Sequence, residues 1–361
     1  TSEVTPRKIR VGVLYGGKSS EHEVSLRSAT NVIQQLDRSR FEVIPIGIDK
    51  QGAWFLGQDL NALEQSPVIA LEQDLEKELF NPNRIGQAQN LTAKSFADHT
   101  DRLFDVVFPV IHGPLCEDGT IQGLLELADV PYVGCGVLAS AVGMDKDVAK
   151  RLVMQQGLPV APYQAIKRGE WNKNSNAFCD SVNETLRYPV FVKPANTGSS
   201  VGVHKVKQPA DLIAAIEDAF QYDTKILVEQ GIDAIELELS VLESLDYGAE
   251  PIVSIAGEVK PQNGHEFYSY ASKYLDDHGA ETLIPAPISS ALQQSAGKIA
   301  QQIFSLLECE GMARVDLFLE RDTHQIYFNE INSIPGFTQI SMYPKLMMAS
   351  GMSYPDLLTH L

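Results

Sequence analysis

The order strand, glycine turn, helix, strand at the start of the chain constrains the fold more than any other feature of the sequence. Val11 to Tyr15 form a short apolar run, residues 16–17 are both glycine, and Phe41 to Ile48 form a second apolar run. An amphipathic stretch lies between them, with an apolar face made of Leu26, Ala29, Ile33 and Leu36. Strands joined by a crossover helix pair in parallel, and helices cover the sheet. The chain is therefore predicted to open with an N-terminal parallel α/β domain.

Two helix starts carry residues that are typical of helix caps. Ser20 followed by Glu23 predicts a capping box at the start of the first helix. Asp145 is expected to cap a second helix, and Gly157 is expected to end it because glycine readily adopts the left-handed conformation found at helix C-termini.

The chain is long enough to require more than one core, because its 361 residues exceed the size of an ordinary single domain. The order of apolar runs and glycine turns predicts three regions, at residues 1–140, 141–233 and 234–361. In the second region, Tyr188 to Val206 contains two strands that flank a Gly/Ser-rich tip, and a strand at Ile226 to Val228 follows. The third region contains four predicted strands, at Ile235–Leu242, Pro251–Val259, Met312–Leu319 and Gln325–Ile331. One predicted helix, at 291–307, lies between the second and third of these strands.

Two further segments have no clear helical or strand period. Residues 57–100 alternate irregularly between polar and apolar, so we assign no element there. The polar segment 260–285 lies between a predicted strand and a predicted helix. Because loops of this length in compact domains are usually binding loops or lids, we expect 260–285 to be a lid.

Composition excludes some partners. The net charge is −18, with 47 acidic and 29 basic residues, and such a chain repels nucleic acid and anionic membranes, whose binding requires Lys and Arg. The four cysteines form no CxxC pair, which indicates reduced thiols in a cytoplasmic protein. No apolar run approaches the length that spans a membrane, so we expect a soluble protein.

The strongest chemical signal lies near the C-terminus. Arg314 and Asp316 are two apart on one predicted strand, and Glu330 and Asn332 are two apart on the next. Residues two apart on a strand point to the same face, so both pairs are expected to meet. Their oxygen atoms suit Mg²⁺, and the guanidinium suits a transferring phosphoryl group. The alternative is a buried ion pair, but the turn that follows Asn332 offers backbone N–H groups to an anion.

A glycine- and serine-rich tip gives a second signal. The segment 198–202 reads Gly-Ser-Ser-Val-Gly and follows Lys193. Consecutive backbone N–H groups can hold phosphate oxygens, and an ammonium beside them is a recurring arrangement. The spacing is not that of a P-loop, and an ordinary hairpin tip is the alternative.

Other residues are suggestive only as a set. Lys146 lies in the first turn of a helix, where a cation opposes the helix dipole, so it either meets a phosphate or is a solvated surface lysine. Glu229-Gln230 end a strand and could be an edge-strand pair. Glu21 lies in the first turn of the first helix, where a carboxylate could simply complement the dipole. His112 follows a buried strand, where a lone histidine would more often be structural. Its glycine-rich polar cluster favours a site wall, because ligands bind at such strand ends.

Together these segments resemble the ATP-grasp superfamily, and within it the D-alanine–D-alanine ligases. The resemblance covers almost the whole chain and is carried by residues 16–25, 112–119, 144–146, 193–202, 273–274, 314–316 and 330–336. The Arg-x-Asp and Glu-x-Asn pairs occur in many ATP-grasp enzymes. The segments around Glu21, His112 and Lys273 are far more specific to this ligase family. The resemblance implies an α/β fold with a three-subdomain ATP-grasp architecture.

The resemblance also implies an activity and its ligands. It implies ATP-dependent ligation of two D-alanine molecules through an acyl phosphate, for peptidoglycan precursors, in a cytoplasmic homodimer. It implies two Mg²⁺ ions held by Asp316, Glu330 and Asn332, with Mn²⁺ as a possible substitute and K⁺ as a possible activator. The residues implied to hold ATP are Lys146, Lys193, Ser200, Glu229, Gln230, Ile232 and Glu236.

The remaining implied roles concern D-alanine. Glu21 is expected to take the ammonium of the first D-alanine, with a hydrogen-bond link between Ser199 and Tyr274 closing the lid. The carboxylate of the second D-alanine is expected to meet Lys273 and Ser341. The other implied contacts are a substrate wall at His112 and Met342 and an oxyanion site at Arg314 and the Gly336 amide.

The chain departs from the family pattern at two positions. Cys116 stands where the family usually has glycine, so a positive φ there would strain the turn. Phe328 stands where an aliphatic residue is usual, which predicts a change in packing only.

Three alternative functions stay open at this point. The chain could join D-alanine to D-lactate, although Tyr274 argues against it because such relatives tend to lose that tyrosine. It could be another ATP-grasp ligase, but that class should lack the Glu21 and His112 segments. It could bind nucleotide without turnover, although the full set of lysines and metal-ligand candidates is present.

Overall fold

The computed structural model describes residues 7–52, 54–56, 104–261 and 280–361 of the chain. Lys273, Tyr274 and the greater part of the predicted lid lie outside these ranges, as does the irregular segment 57–100. Within the described ranges, three β-sheets follow one another along the chain. Their order matches the order of the three predicted regions, although the exact divisions between the regions stay a prediction.

The first sheet is mainly parallel. Its central strand β1 (Ile9–Gly16) pairs in parallel with β2 (Phe41–Ile48) and β4 (Val106–Pro109), and β3 (Trp54–Leu56) adds an antiparallel edge beside β2. Helix α1 (His22–Gln35) makes the crossover from β1 to β2. Strand β1 is almost entirely buried, as expected for a parallel strand covered on both faces. The predicted N-terminal parallel α/β arrangement is confirmed.

The start of α1 differs from the prediction. The N-cap residue is Glu21, not Ser20. The Glu23 carboxylate, expected to fold back on the helix start, lies 2.9 Å from the Lys50 ammonium instead. The predicted capping box is therefore wrong, because a cation beyond β2 takes the carboxylate that the box requires.

Three helices connect the first sheet to the second. They are α2 (Thr120–Leu127), α3 (Val137–Met144) and α4 (Lys146–Gln155). The Asp145 carboxylate accepts a hydrogen bond from the Val148 amide at 3.0 Å, and Gly157 has φ of 76°. Both predictions for the ends of α4 are confirmed.

The second sheet is antiparallel, in the order β5-β8-β6-β7. Its strands are β5 (Tyr163–Lys167), β6 (Val190–Pro194), β7 (His204–Val206) and β8 (Lys225–Gln230). Its helices are α5 (Arg168–Lys173), α6 (Ser175–Thr185) and α7 (Leu212–Ala219). Their core includes Trp171, Val182 and Ile216. Strand β8 lies inside the sheet, so Glu229 and Gln230 are not an edge-strand pair.

The third sheet is also antiparallel, in the order β12-β11-β9-β13-β14, with β10 beside β9. Its strands are β9 (Ala234–Leu242), β10 (Ile252–Val253), β11 (Gly257–Pro261), β12 (Ala280–Leu283), β13 (Met312–Glu320) and β14 (Ile326–Asn332). Helix α8 (Ser290–Leu306) packs on one face.

The predicted strand at Pro251–Val259 is wrong in one respect, because it is two short strands. The Ser254 hydroxyl accepts the Ser240 amide at 2.9 Å. A side chain thus takes the place of a backbone partner and interrupts the ladder between β10 and β11.

The C-terminal helices return to the first sheet. They are α9 (Met342–Ala349) and α10 (Tyr354–His360). Phe337 packs between the rings of Phe108 and Tyr343, with centroids 5.8 and 5.7 Å away. This shared core fixes the third sheet against the first. In the part of the chain that the structure describes, no helix is both long and apolar enough to cross a membrane.

Candidate active site

The strand pair β13–β14 brings the strongest sequence signal together as predicted. Arg314 lies opposite Asn332, and Asp316 lies opposite Glu330. The Arg314 guanidinium donates to both Asp316 carboxylate oxygens at 2.8 Å. Its Nε also lies 3.2 Å from a carboxylate oxygen of Glu238 on β9. A cation, three carboxylates and an amide thus meet on one face of the third sheet.

The donor set on this face suits a Mg²⁺ ion that also binds phosphate. Among the described residues, no group of three or more His, Cys, Asp or Glu side chains is arranged to hold a metal alone. Asp316, Glu330 and the Asn332 amide oxygen supply hard oxygen atoms, and Mg²⁺ is usually bound by one or two carboxylates plus substrate phosphates. The residues present therefore fit Mg²⁺ held jointly by protein and nucleotide.

A cavity of about 440 Å³ lies beside this face, between the second and third sheets. Its lining includes every residue predicted to contact a nucleotide, namely Lys146, Lys193, Ser200, Glu229, Gln230, Ile232 and Glu236, together with Asp316 and Glu330. A smaller space of about 20 Å³ shares Lys146 and Glu330 with it and is also lined by Glu117 and Asn332. The fold thus gathers residues that are far apart in sequence around one cavity.

Two lysines share one carboxylate at the inner end of the cavity. The Glu229 oxygens lie 3.1 Å from the Lys193 ammonium and 2.9 Å from the Lys150 ammonium. Burial alone would raise the pKa of the Glu229 carboxyl, but both ammonium groups outweigh it and hold that pKa at about 2. Glu229 is therefore ionised. Sequence reasoning missed Lys150, although it lies one helical turn after Lys146 and so on the same face of α4.

Lys146 projects from the start of α4 toward the hairpin tip. Its ammonium donates to the Thr197 carbonyl at 2.6 Å, and its backbone amide donates to the Ala195 carbonyl at 3.0 Å. Lys225 lies 2.7 Å from Asp145 and 3.2 Å from Asp147 and so ties the same helix start to β8. These contacts place the Lys146 cation at the cavity rather than in solvent.

The hairpin tip between β6 and β7 closes over the cavity. Ser199 and Ser200 have φ of 51° and 59°, and Gly202 has φ of 73°. These left-handed conformations turn the tip sharply. The Ser199 hydroxyl donates to the Glu21 carboxylate in the N-terminal region. A side chain added at Gly198 would lie 2.8 Å from a Glu21 oxygen, so it would displace the Glu21 carboxylate. The predicted partner Tyr274 lies outside the described residues.

A second buried carboxylate, Glu117, lies close to Glu21. Glu117 accepts the Gly113 amide at 2.7 Å, and a side chain added at Gly113 would come within 2.6 Å of Glu21. Burial, and then the charge of Glu21, raises the pKa of Glu117 to about 8. Glu117 is therefore largely protonated near neutral pH, and an ammonium group bound beside it would favour its ionised form. In the sequence, Glu117 is only one member of the polar cluster predicted to form a site wall, with no role of its own.

Two family models match the sequence: D-ala D-ala ligase N-terminus over residues 10–135, and D-ala D-ala ligase C-terminus over residues 152–361. The chain belongs to the D-alanine–D-alanine ligase family. D-alanine–D-alanine ligase A of Bradyrhizobium diazoefficiens is 53% identical to it over 361 residues, which cover 98% of this chain and 94% of that protein. The corresponding ligase A of Chromobacterium violaceum is 48% identical over 357 residues, with the same coverage of both proteins, 98% and 94%.

Solved structures of this ligase family have the same fold. The VanG D-Ala:D-Ser ligase from Enterococcus faecalis is 36% identical, with a TM-score of 0.80 over 98% of both chains. The D-alanine–D-alanine ligase from Coxiella burnetii is 31% identical, with a TM-score of 0.79 over 98% of this chain and 93% of that one. The chain therefore has the ATP-grasp fold of this ligase family, as the sequence resemblance predicted.

His112 of this ligase-family chain has a partner on each ring nitrogen. Nδ1 lies 3.0 Å from the Ile334 carbonyl, which can only accept, so Nδ1 carries the proton. Nε2 then accepts from the Ser28 hydroxyl at 3.1 Å, and that hydroxyl accepts the Phe337 amide at 3.1 Å. His112 and Ser28 thus hold both ends of the turn that contains Gly336.

Ser341 and Met342, which are also predicted to contact substrate, lie after this turn. Ser341 is 4% exposed, and its hydroxyl forms a hydrogen bond with the Thr338 hydroxyl at 2.7 Å. Met342 packs against Val259 and Leu346 in a small buried cluster. Both residues lie at the start of α9.

The Cys116 turn differs from the prediction. The positive φ falls on Leu115, at 74°, and Cys116 is buried in the core beneath the first sheet. The predicted strain at Cys116 is therefore wrong, because the neighbouring residue makes the turn.

Proposed function

We propose that the chain joins two D-alanine molecules into D-alanyl-D-alanine, for peptidoglycan precursor synthesis, with ATP converted to ADP and phosphate. The observation that carries this proposal is the shared cavity lined by Lys146, Lys193, Asp316 and Glu330, with Glu117 lining the small space that adjoins it. Membership of the D-alanine–D-alanine ligase family supports the same conclusion.

The nucleotide would lie in the 440 Å³ cavity. Lys146 and Lys193 would bind its phosphates, with Ser200 and the tip amides covering them. Glu229, Gln230, Ile232 and Glu236 would surround the adenine and ribose. Because the Glu229 oxygens lie near two lysines, its carboxylate acts mainly by orienting Lys193.

Asp316, Glu330 and Asn332 would hold two Mg²⁺ ions together with the phosphates. Bound Mg²⁺ would offset the negative charge of the transferring phosphoryl group. Mn²⁺ shares the preference for oxygen ligands and could substitute. Activation by K⁺ is a separate expectation, tested by exchanging K⁺ for Na⁺ in the assay.

The first D-alanine would place its ammonium at Glu21, beside Glu117. Its carboxylate would attack the γ-phosphorus of ATP, which gives an acyl phosphate and ADP. The second D-alanine would be held through its carboxylate by Lys273 and Ser341, with Met342 alongside. Its amine, having given up a proton, would then attack the acyl carbon and expel phosphate. Arg314 and the Gly336 amide would stabilise the oxyanion, and His112 would keep the Gly336 turn in place.

Closure protects such an intermediate, because acyl phosphates hydrolyse readily in water. The Ser199–Glu21 hydrogen bond closes the cavity from the hairpin side. We propose that Tyr274, in the predicted lid, completes the closure by contacting Ser199. A homodimer is proposed from the family resemblance. A cytoplasmic location is supported by the four cysteines, which are all free thiols.

The test is phosphate release from ATP and Mg²⁺ with different amino acids. We expect release and dipeptide with D-alanine, and background release with L-alanine. D-Alanine with D-lactate, and D-alanine with D-serine, test the acceptor, since one structural relative is named a D-Ala:D-Ser ligase. A mixed product formed faster than D-alanyl-D-alanine would assign the chain to a different acceptor. No release with any mixture would overturn the ligase function.

A further inference from the structure

Lys150 is a fully buried cation that the proposed reaction does not use. It is 1% exposed, and its ammonium lies 2.9 Å from Glu229 Oε2 and 3.2 Å from the Asn329 carbonyl. Burying a lysine is costly, and such lysines usually have a specific partner and a specific role. The cation therefore needs an explanation beyond packing.

The surroundings of Lys150 are built for a cation. Its Nζ lies 5.8 Å from the ring centroid of Phe328 and 5.9 Å from that of Tyr163, and aromatic faces attract cations at such distances. Burial lowers the pKa of Lys150, and the Glu229 carboxylate opposes that effect. Phe328 thus contributes to the cation site.

The charge of the cluster explains what Lys150 does. Without Lys150, the Glu229 carboxylate would neutralise Lys193, the lysine that faces the nucleotide cavity. With Lys150 present, the two ammonium groups and one carboxylate keep a single net positive charge. Its bond to Asn329 also connects α4 to the residue before Glu330. The cluster thus orients Lys193 and leaves positive charge for a phosphate.

We infer that Lys150 is a positioning residue that balances Glu229, so that Lys193 keeps its geometry and its charge for the phosphates of the nucleotide. This inference rests on the proposed function only in that the cavity binds a nucleoside phosphate. It does not depend on which amino acids are joined.

The test measures ADP binding by calorimetry in four proteins: the wild type, Lys150→Met, Glu229→Gln and the double variant. Lys150→Met removes the net charge, so we expect ADP affinity to fall on the order of tenfold, as for one unit charge near phosphates at an intermediate dielectric. The double variant regains the net charge of the wild type through Lys193 alone. Its affinity is expected to exceed that of Lys150→Met, and the loss that remains relative to the wild type is the contribution of Glu229 itself, which Glu229→Gln measures.

Arg151→Met is the matched control. It removes a positive charge from the next residue of α4, but the Arg151 side chain is 62% exposed, with its Nη2 3.4 Å from Asp147. Its ADP affinity should equal that of the wild type. In steady-state assays, Lys150→Met should raise KM for ATP more than it lowers kcat, with KM for D-alanine unchanged.

Several outcomes overturn the inference. A double variant that binds ADP as weakly as Lys150→Met, or more weakly, would mean that Lys150 acts through packing. If Lys150→Met does not fold, the double variant is compared with Glu229→Gln instead, and a loss of affinity between these two of clearly more than about tenfold would mean that Lys150 acts through something other than Glu229. A wild type that does not bind ADP would also overturn the inference. A wild type that binds ADP but does not use D-alanine would overturn only the proposed function.

Discussion

The Ser199 hydroxyl donates a hydrogen bond to the Glu21 carboxylate, although 178 positions separate the two residues. Ser199 belongs to the hairpin tip of the second sheet, and Glu21 precedes the first helix of the N-terminal sheet. The contact therefore joins two regions across the place proposed for the first D-alanine. Glu21 is 3% exposed, so its carboxylate is held in one orientation.

Ser199→Ala should weaken D-alanine binding and also lower the stability of the protein, because the hydrogen bond to Glu21 is present without substrate. It removes a hydrogen bond to a charged acceptor, which contributes about 1.5–3 kcal/mol, or about tenfold or more in KM for D-alanine. KM for ATP should change much less. Steady-state kinetics with each substrate varied in turn measure both constants.

Ser39→Ala is the control for this variant. The Ser39 hydroxyl also donates to a carboxylate, that of Asp37, at 2.6 Å, but in an exposed turn. Equal effects of the two substitutions on KM for D-alanine would contradict a specific role for Ser199.

Glu330→Gln should abolish most turnover and leave the fold intact. The amide keeps the shape of the side chain but removes one of the carboxylates that are proposed to hold Mg²⁺. We expect kcat to fall at least about 100-fold, as for lost stabilisation of transition-state charge, and the Mg²⁺ concentration for half-maximal rate to rise.

Glu320→Gln gives the comparison on the same strand pair. Glu320 is the last residue of β13 and accepts a hydrogen bond from the Thr323 hydroxyl. Its kcat and Mg²⁺ dependence should equal those of the wild type. Normal Mg²⁺ dependence in Glu330→Gln would remove Glu330 from the metal site.

Arg314→Met should destabilise the protein as well as inactivate it. Arg314 is 4% exposed, and its guanidinium balances the charges of Asp316 and Glu238. Without it, these two side chains would be buried carboxylates that lack this cation beside them. Removing one partner of a buried ion pair costs about 3–5 kcal/mol, so the melting temperature should fall clearly. Arg321→Met is the control, because its partner Asp233 lies 3.2 Å away and both are largely exposed; it should cost less than about 1 kcal/mol. Similar melting temperatures for the two variants would contradict this account.

Protein stability should depend on pH through His112. Burial lowers the pKa of His112 to about 4, against an opposing effect of the Ile334 carbonyl. Between pH 4 and about 6.5 the unfolded histidine binds a proton that the folded one does not. The contribution of neutral His112 to the free energy of unfolding is therefore fully present above about pH 6.5 and is lost as the pH falls toward 4. Between pH 7 and pH 5 the loss is about 2 kcal/mol.

Urea midpoints of the wild type and His112→Asn at both pH values measure this contribution. Glu117 acts in the opposite direction, because its pKa is raised to about 8, so only the difference between the two proteins isolates the histidine. We expect the variant to lose less stability than the wild type between pH 7 and pH 5. The same loss in both would mean that His112 does not titrate in this window.

Local patterns in the sequence determined most elements and part of the site. The apolar run and amphipathic helix at the start specified a parallel sheet. Alternation along two strands placed Arg314 with Asp316 and Glu330 with Asn332. These predictions held because strand and helix periodicity follow from the stereochemistry of neighbouring residues. The ATP-grasp fold came from motif resemblance, which the family models and solved structures confirm.

Only the tertiary structure decided which charges meet. The sequence did not assign Lys150 to Glu229, Glu117 to the neighbourhood of Glu21, or His112 to the Gly336 turn. The capping box failed for the same reason, since Lys50 takes Glu23 from beyond β2. Each of these contacts joins residues that are far apart in sequence. The contacts of Lys150, Glu117 and His112 depend on burial, where an unbalanced charge is costly, and burial is set by the packing of the three sheets rather than by neighbouring residues. The Glu23–Lys50 pair is exposed, but it too forms only because the fold brings β2 beside α1.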